Sequence, residues 1–293
     1  MRTHDCEPTL TDSQVLDFCK SGYLPLEGVV SDDVNQRVVD FMNDHAPHIE
    51  PGDFANHEPN EILDEDWFVD GVLCNPVAAG AVRCLLGRDF ALPRIMSSHR
   101  VHMPARAYGW HRDGGSLSSH ELNYLQVYYY PQDTTVEMGA TAFLPGSHLY
   151  WPFGQGSSGL YGMFRGTVSS AAPAGSIFIS AYSVWHRRTQ STASGIRNLL
   201  KYNYWRTSAP ERDWVREPDF DPATAVYGPG PDAPPGPRQS YLAVARMYFW
   251  LCGRLDDFQA LGGQGWPKVG PVDYQPYGYP GDPTDPRVQQ KAS

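Results

Sequence analysis

The sequence predicts a mainly β fold with flanking helices, in which the middle of the chain forms a jelly-roll core. Short runs rich in β-branched and aromatic residues follow one another from about residue 92 to 206, separated by Gly, Pro and Ser. Helical patterns precede and follow these runs instead of alternating with them, which favours an antiparallel sandwich over parallel βα units. The 293 residues are 41% hydrophobic, enough to enclose one large core.

The chain shows no internal repeat and no clear boundary, so we expect a single domain over residues 1–293. Its predicted parts are N-terminal helices with a strand (9–91), the jelly-roll core (92–206), and a C-terminal loop or lid followed by a helix (207–293).

Two helices and a strand are predicted at the N-terminus. Thr11 and Gln14 fit a capping box, and Gly22 ends this first helix before the extended run "YLPLEGVV". Ser31 can cap the second helix. One face of that helix carries the apolar residues Val34, Val38 and Phe41.

A surface loop and a third helix follow. Residues 47–66 are acidic and contain proline, which predicts a loop. Asn75-Pro76 fits the start of a helix and Gly87 its end. The residues of this helix expected to point inward are Val77, Ala81 and Leu85.

Six runs then predict the strands of the core. They are "RIMSSHRVHM" (94–103), "ELNYLQVYYY" (121–130), "TAFLP" (141–145), "GTVSSA" (166–171), "GSIFISAY" (175–182) and "RNLLKYNYWR" (197–206). After them, "YGPGPDAPPGPR" (227–238) predicts an ordered loop or a lid. Ser240 can cap a last helix that ends at Gly262-Gly263 and forms core, a homodimer surface or a cover for the active site.

Charge and cysteine content restrict the class of protein. A net charge of −10 argues against a nucleic-acid surface, which needs clustered Lys and Arg. The five cysteines are scattered, odd in number and lack C-x-x-C spacing, which is typical of a reduced intracellular chain. No apolar run is long enough to cross a bilayer and the N-terminus lacks a signal core. We therefore expect a cytoplasmic protein without a membrane partner.

A candidate metal site begins in "YGWHRDGGSL" (108–117). If this segment is extended, His111 and Asp113 point to the same side and can share one metal, although an H-x-D triplet also fits a polar turn. His186, at the end of another strand, offers a third ligand. Two imidazoles and one carboxylate on one face of an octahedron form the facial triad of non-haem Fe(II) oxygenases.

Arg197 lies eleven positions after His186, a distance that returns the chain to a neighbouring antiparallel strand. A guanidinium there can form a bidentate contact with the distal carboxylate of a dicarboxylic cosubstrate. A ketoacid with such a carboxylate is 2-oxoglutarate.

Residues 9–206 resemble the phytanoyl-CoA dioxygenase-like Fe(II)/2-oxoglutarate-dependent oxygenases. The resemblance is carried by "HRD" (111–113), "MGATAFLPGSH" (138–148), "WHRR" (185–188), Arg197 and the opening "LTDSQVLDFCKSGYLPLEGVVS". It implies a double-stranded β-helix of the cupin type, with iron held by His111, Asp113 and His186 and with the C5 carboxylate of 2-oxoglutarate bound by Arg197.

The activity that the resemblance implies is oxidation of an unactivated C–H bond in a small molecule, with O2 consumed and succinate and CO2 released. Hydroxylation is the default outcome, and desaturation or cyclisation use the same chemistry. A role in secondary-metabolite biosynthesis is expected by analogy. The alternatives are a non-redox metal enzyme, such as a zinc hydrolase, and a non-catalytic jelly-roll binding protein.

Other polar residues have weaker claims on the site. Gln126 is expected to point into the barrel, where it hydrogen-bonds either 2-oxoglutarate or a buried tyrosine. Thr141 is a further candidate for a hydrogen bond to 2-oxoglutarate. His148 is expected in a turn and not on the metal. Of the histidines near the first ligands, which are His99, His102 and His120, His102 is the one expected to enter the site. Arg187, Arg188 and Arg206 can meet an anionic substrate or form a solvated rim.

Overall fold

The computed structural model of the chain describes residues 1–115, 118–149, 162, 164–228 and 238–258. Within them, two antiparallel sheets that do not close into a barrel face each other, and helices pack on the larger sheet. The predicted mainly β fold with flanking helices and a jelly-roll core is confirmed.

The strands are β1 (Thr3–His4), β2 (Tyr23–Leu26), β3 (Phe54–His57), β4 (Phe90–Ala91), β5 (Met96–Met103), β6 (Tyr124–Tyr130), β7 (Thr141–Phe143), β8 (Val168–Ser169), β9 (Ser176–Ala181), β10 (His186–Arg188) and β11 (Gly195–Trp205). The α-helices are α1 (Asp12–Ser21), α2 (Asp32–His45), α3 (Asp66–Phe68), α4 (Pro76–Leu86), α5 (Arg238–Leu251) and α6 (Leu255–Phe258). One π-helical turn, Val69–Leu73, follows α3 directly.

The larger sheet has the order β3-β5-β11-β6-β9-β2, with β4 and β1 continuing from one end of β11. The smaller sheet has the order β10-β7-β8. On β6, Leu125, Val127 and Tyr128 all belong to the main core, but of these three only Tyr128 also lines the cavity between the sheets. The alternation of side chains along a strand therefore separates the packing face from the face that lines the cavity.

The N-terminal helices begin and end where the sequence predicts. Thr11 accepts a hydrogen bond from the Gln14 backbone and Gln14 closes the capping box in return, while Gly22 ends α1 with a left-handed φ of 78°. Asn75 accepts from the first backbone N–H groups of α4. The expectation that Val77 points inward from α4 is wrong, because its side chain is 43% exposed. Ala81 and Leu85, the other two residues expected to point inward, are buried. Val77 lies in the first turn, beyond the edge of the core.

The predicted surface loop at 47–66 contains a strand. Residues Phe54 to His57 pair with β5, and Phe54 and Asn56 line the cavity. Four residues without apolar alternation give no local strand signal, so this strand is determined by its long-range partner.

The predicted C-terminal helix is interrupted. It breaks after Leu251, because Gly253 adopts a φ of 67°, and α6 then begins at Leu255. The predicted end at Gly262-Gly263 and most of the proline-rich run lie outside the described residues. The described part of 207–258 packs on α1 and α4, through Arg212 and Asp213 for example, and none of it lines the cavity.

The strands that carry His186 and Arg197 are not neighbours, contrary to the prediction. His186 begins β10 in the smaller sheet, and Arg197 lies on β11 in the larger sheet. The connection crosses from one sheet to the other, and both side chains line the same cavity.

No single helix among the described residues combines the length and apolarity needed to span a bilayer. The segments Asp66–Leu73 and Pro76–Leu86, bent by 65°, meet that criterion only as a pair, by length and composition, and the second segment is largely buried in the core.

Candidate active site

Two histidines are brought together by a backbone bridge between the connection from β5 to β6 and the first residue of β10. The N–H of His111 donates to the carbonyl of His186 and the reverse bond is also present, both at 3.0 Å. The two rings lie 4.4 Å apart between centroids. Asp113 then opens a tight helical turn that ends in the two glycines. One ligand atom each from His111, Asp113 and His186 lies within 4.8 Å of the others.

Hydrogen bonds to the backbone determine which imidazole nitrogen of each histidine faces the site. His111 Nδ1 lies 2.9 Å from the Gly109 carbonyl and His186 Nδ1 lies 3.1 Å from the Val184 carbonyl. Because a carbonyl only accepts, both Nδ1 atoms carry the proton and both Nε2 atoms offer a lone pair. Burial lowers the pKa of His186 to about 4, which keeps this ring neutral.

The Asp113 carboxylate is held by two donors from the larger sheet. Gln126 Nε2 donates to Asp113 Oδ2 at 2.6 Å, and the Lys201 ammonium donates to the same oxygen. Tyr128 in turn donates to Gln126 Oε1 at 2.7 Å. Burial acts to raise the pKa of Asp113, but the neighbouring basic groups, which include the Lys201 ammonium, outweigh it and hold the pKa below its usual range.

Arg197, which lines the same cavity, is buried at 1% exposure. Its Nη1 donates to the Gly139 carbonyl at 2.6 Å, its Nε has no hydrogen-bond partner, and no described carboxylate forms an ion pair with it. Burial lowers its pKa without removing the charge. Thr141 also lines the cavity and accepts a hydrogen bond from Tyr130 at 3.0 Å. This guanidinium therefore lacks an anion.

The cavity between the sheets has a volume of about 200 Å³. Its lining combines the triad with aromatic, polar and cationic side chains from both sheets, namely Phe54, Asn56, His99, Tyr108, His111, Asp113, Tyr128, Thr141, His186, Arg188, Arg197, Leu199 and Lys201. This is a concave site with a few converging polar groups, as small-molecule sites usually are.

The structure places the other predicted residues as follows. Gln126 contacts Asp113 and a buried tyrosine, and it does not line the described cavity. His102 points away from the cavity, with Nδ1 at 2.9 Å from the Ile49 carbonyl, and His99, on the other face of β5, lines the cavity instead. His148 is fully buried and contacts the Cys19 carbonyl at 3.1 Å.

Sequence reasoning missed one cationic residue of the lining, Lys201, and left the position of a second, Arg188, open. Lys201 follows Arg197 by four positions on β11, and this even spacing was the signal that both side chains share a face. Arg188 stands two positions after His186 on β10 and lines the cavity, so it is not part of a solvated rim.

The donor set fits a divalent transition metal. Two Nε2 atoms and one carboxylate converge, and the buried His186 Nε2, 3.5 Å from Asp113 Oδ2, makes no hydrogen bond. A buried polar atom without a partner is costly, so its presence here indicates a ligand position. Three protein ligands on one side leave the other coordination positions open.

The fold is shared with enzymes of known structure. SnoK, a non-haem α-ketoglutarate-dependent carbocyclase from nogalamycin biosynthesis, is 17% identical, with 71% of this chain and 90% of SnoK covered and a TM-score of 0.53. HygX from Streptomyces hygroscopicus, solved with nickel, 2-oxoglutarate and hygromycin B, is 17% identical over 70% of this chain and 90% of HygX, with a TM-score of 0.54.

The epimerase SnoN, solved with Fe3+, α-ketoglutarate and nogalamycin RO, is 18% identical over 77% of this chain and 93% of SnoN, with a TM-score of 0.53. No curated protein matches the chain in sequence. The family model of phytanoyl-CoA dioxygenase (PhyH) matches residues 18–198, which is more than half of the sequence. The chain therefore belongs to the phytanoyl-CoA dioxygenase family.

Proposed function

We propose that the protein is an Fe(II)/2-oxoglutarate-dependent oxygenase that oxidises an unactivated C–H bond of a small molecule and releases succinate and CO2. The observation that supports this best is the convergence of His111, Asp113 and His186 in one cavity with a buried arginine that has no described carboxylate partner. A hydrolytic metal site does not by itself require that arginine. Hydroxylation is the proposed default, with desaturation or cyclisation as other outcomes.

In this proposal His111, Asp113 and His186 hold the ferrous ion, which supplies the activation of O2 at the expense of 2-oxoglutarate. The backbone carbonyls behind each imidazole orient its Nε2 toward the ion. Gln126 and Lys201 orient the carboxylate of Asp113 from behind. Rigid orientation of ligands keeps the site from rearranging during turnover.

The cosubstrate is proposed to lie between the triad and Arg197, with its C5 carboxylate on the guanidinium. Arg197 is anchored through Nη1 on the Gly139 carbonyl, which leaves its remaining N–H groups for the ligand. Thr141 lines the same cavity, and its hydroxyl is the further cofactor contact that we propose. For Gln126 the proposed role is indirect, through Asp113.

Product outcome and biological context are proposed from the shared fold. SnoK is described as a carbocyclase and SnoN as an epimerase, and HygX was solved with 2-oxoglutarate and hygromycin B bound. These names favour a small-molecule substrate and a tailoring step in secondary metabolism. The five cysteines are free thiols, which favours a reducing compartment such as the cytoplasm.

The experiment that tests this function measures anaerobic binding of Mn(II) and 2-oxoglutarate by calorimetry, followed by succinate release with Fe(II) and O2. We expect Arg197→Ala to weaken 2-oxoglutarate binding by about 100-fold, because it removes one partner of a buried charge pair, and to leave metal affinity unchanged. Arg94→Ala, an exposed arginine, is the control and should bind like the wild type. Absence of 2-oxoglutarate binding by the metal-loaded wild type contradicts the proposal.

A further inference from the structure

The walls of the cavity carry more positive charge than the proposed cofactors neutralise. Among the described residues the lining has three cations, Arg188, Arg197 and Lys201, and one carboxylate, Asp113, which gives a formal charge of +2. A ferrous ion and the dianion 2-oxoglutarate cancel each other, so the loaded cavity keeps this excess. Because the whole chain has a net charge of −10, the positive charge is concentrated locally.

Arg188 is positioned by contacts that do not neutralise it. Its Nη2 donates to the Arg106 carbonyl at 2.9 Å and its Cζ lies 4.7 Å from the ring centroid of Phe54. Nε and Nη1 are buried and have no hydrogen-bond partner. No carboxylate among the described residues forms an ion pair with this guanidinium. A half-buried cation in this state is stabilised when an anion joins it.

Lys201 is in a similar position once a metal is bound. Its ammonium is buried, at 6% exposure, and its only described carboxylate partner is Asp113. A divalent ion bound to that carboxylate would neutralise the negative charge that otherwise pairs with Lys201. The ammonium then stands beside the metal without a counter-ion of its own.

We propose that the primary substrate of this enzyme is an organic anion and that Arg188 and Lys201 bind its oxyanion. The inference rests on the proposed function, because it assigns Arg197 to the cosubstrate and Asp113 to the metal. Phe54 and Tyr108, which are 37% and 52% exposed, stand at the open side of the cavity. An acid on an apolar or ring-bearing skeleton fits both the cations and these aromatic side chains.

The test uses the whole protein loaded anaerobically with Mn(II) and 2-oxoglutarate. Calorimetry compares three acids, benzoate, phenylacetate and octanoate, with their primary amides, which have the same shape but no charge. We expect at least one acid to bind about tenfold or more tightly than its amide, since charged partners contribute more than neutral ones. Arg188→Gln and Lys201→Gln should each reduce that preference to below about threefold.

A matched control removes the same charge outside the cavity. Arg106 is exposed, and Arg106→Gln should keep the acid preference. Arg188→Lys and Lys201→Arg keep the charge and should retain most of the preference, which separates loss of charge from loss of folding. The affinity for 2-oxoglutarate should change less than about threefold in Arg188→Gln.

Four results overturn the inference. They are equal binding of acids and amides, no binding of any of the three acids, an unchanged preference in both Gln variants, and a loss of 2-oxoglutarate affinity in Arg188→Gln as large as in Arg197→Ala. Each of these results counts only when the wild-type protein has been shown to bind Mn(II) and 2-oxoglutarate. If the wild type binds neither, the proposed function itself has failed.

Discussion

At the scale of single residues, the site depends on the carboxylate of Asp113, which contacts several side chains. Asp113 Oδ2 accepts from Gln126 and Lys201 and lies 3.5 Å from His186 Nε2. In a metal-free protein this oxygen is the counter-ion of a buried ammonium. In the proposed metal-bound state the same carboxylate is a ligand. A substitution of Asp113 therefore affects both stability and metal binding.

We predict that Asp113→Asn destabilises the metal-free protein by about 2 kcal/mol, toward the low end for a broken buried ion pair because the Asp113 side chain is 23% exposed. The reason is that Lys201 keeps its charge and loses its partner. Adding Lys201→Met should restore most of the loss. Urea unfolding with chelator present measures both changes, and Mn(II) binding should be lost in each variant. Equal stabilities of the single and double variants would contradict this pairing.

The residues of the triad could be predicted from sequence, and part of the cavity could not. His111 forms an extended bridge with His186, but Asp113 opens a tight helical turn, so the H-x-D spacing points to the correct residues although the segment is not extended throughout. Arg197 and Lys201 share a face by the alternation of side chains along a strand, which makes Lys201 predictable in principle. Phe54 reaches the cavity only because β3 pairs with β5 from far along the chain. That pairing has no local signal.

At the scale of elements, helix α1 is tied to the C-terminal part of the chain through one buried carboxylate. Asp12, in the first turn of α1, accepts hydrogen bonds from Arg212, Trp214, the Glu217 backbone and Tyr248. These donors come from the segment after β11 and from α5. The contact holds that segment against the N-terminal helices.

We predict that Asp12→Asn lowers the free energy of unfolding by about 3 kcal/mol, because buried donors lose a charged acceptor. Urea unfolding at pH 7 measures it. The matched control is Asp17→Asn on the same helix, whose side chain is 72% exposed and whose loss should cost less than about 0.5 kcal/mol. Similar losses in both variants would contradict the assigned role of Asp12.

The same carboxylate makes a pH-dependent contribution. Burial acts to raise the pKa of Asp12, but its hydrogen bonds to Arg212, Glu217, Trp214 and Tyr248 outweigh this and lower the pKa below 3.8. A lowered folded-state pKa means that the contribution is fully present above the unfolded value and is lost as the pH falls below it. The destabilisation caused by Asp12→Asn should therefore shrink below about pH 4.

Local sequence signals predict the ends of elements better than their pairing. The capping box of α1 and the Asn-Pro start of α4 involve neighbours in sequence, and both are observed. β8 lies within the predicted run 166–171 but is only two residues long, whereas β10, of three residues, exists through hydrogen bonds to β7 and no pattern of that length predicts a strand. The break before α6 needs a left-handed glycine, which the sequence permits at Gly253 without requiring it.

At the scale of the whole molecule, the proposed ligands connect the two sheets. His186 belongs to the smaller sheet, Arg197 belongs to the larger sheet, and Asp113 lies on the connection between β5 and β6. Side chains of the two sheets pack together through Phe143, which contacts Tyr128 and Phe178, and Tyr128 also lines the cavity. A metal ion and a diacid bound in the cavity would add a polar cross-link between the two sheets.

We therefore predict that Mn(II) and 2-oxoglutarate raise the melting temperature in two separate steps. A ligand at 100 times its Kd stabilises the folded state by about 2.7 kcal/mol, and for a chain of this size each kcal/mol corresponds to roughly 2–4 °C. Each step should thus amount to about 5–10 °C, measured by differential scanning fluorimetry under nitrogen. Asp113→Asn should lose both steps, because the metal must bind first. Arg197→Ala should keep the Mn(II) step and lose the 2-oxoglutarate step. If this variant retained both steps, the diacid would not contact Arg197 on the larger sheet.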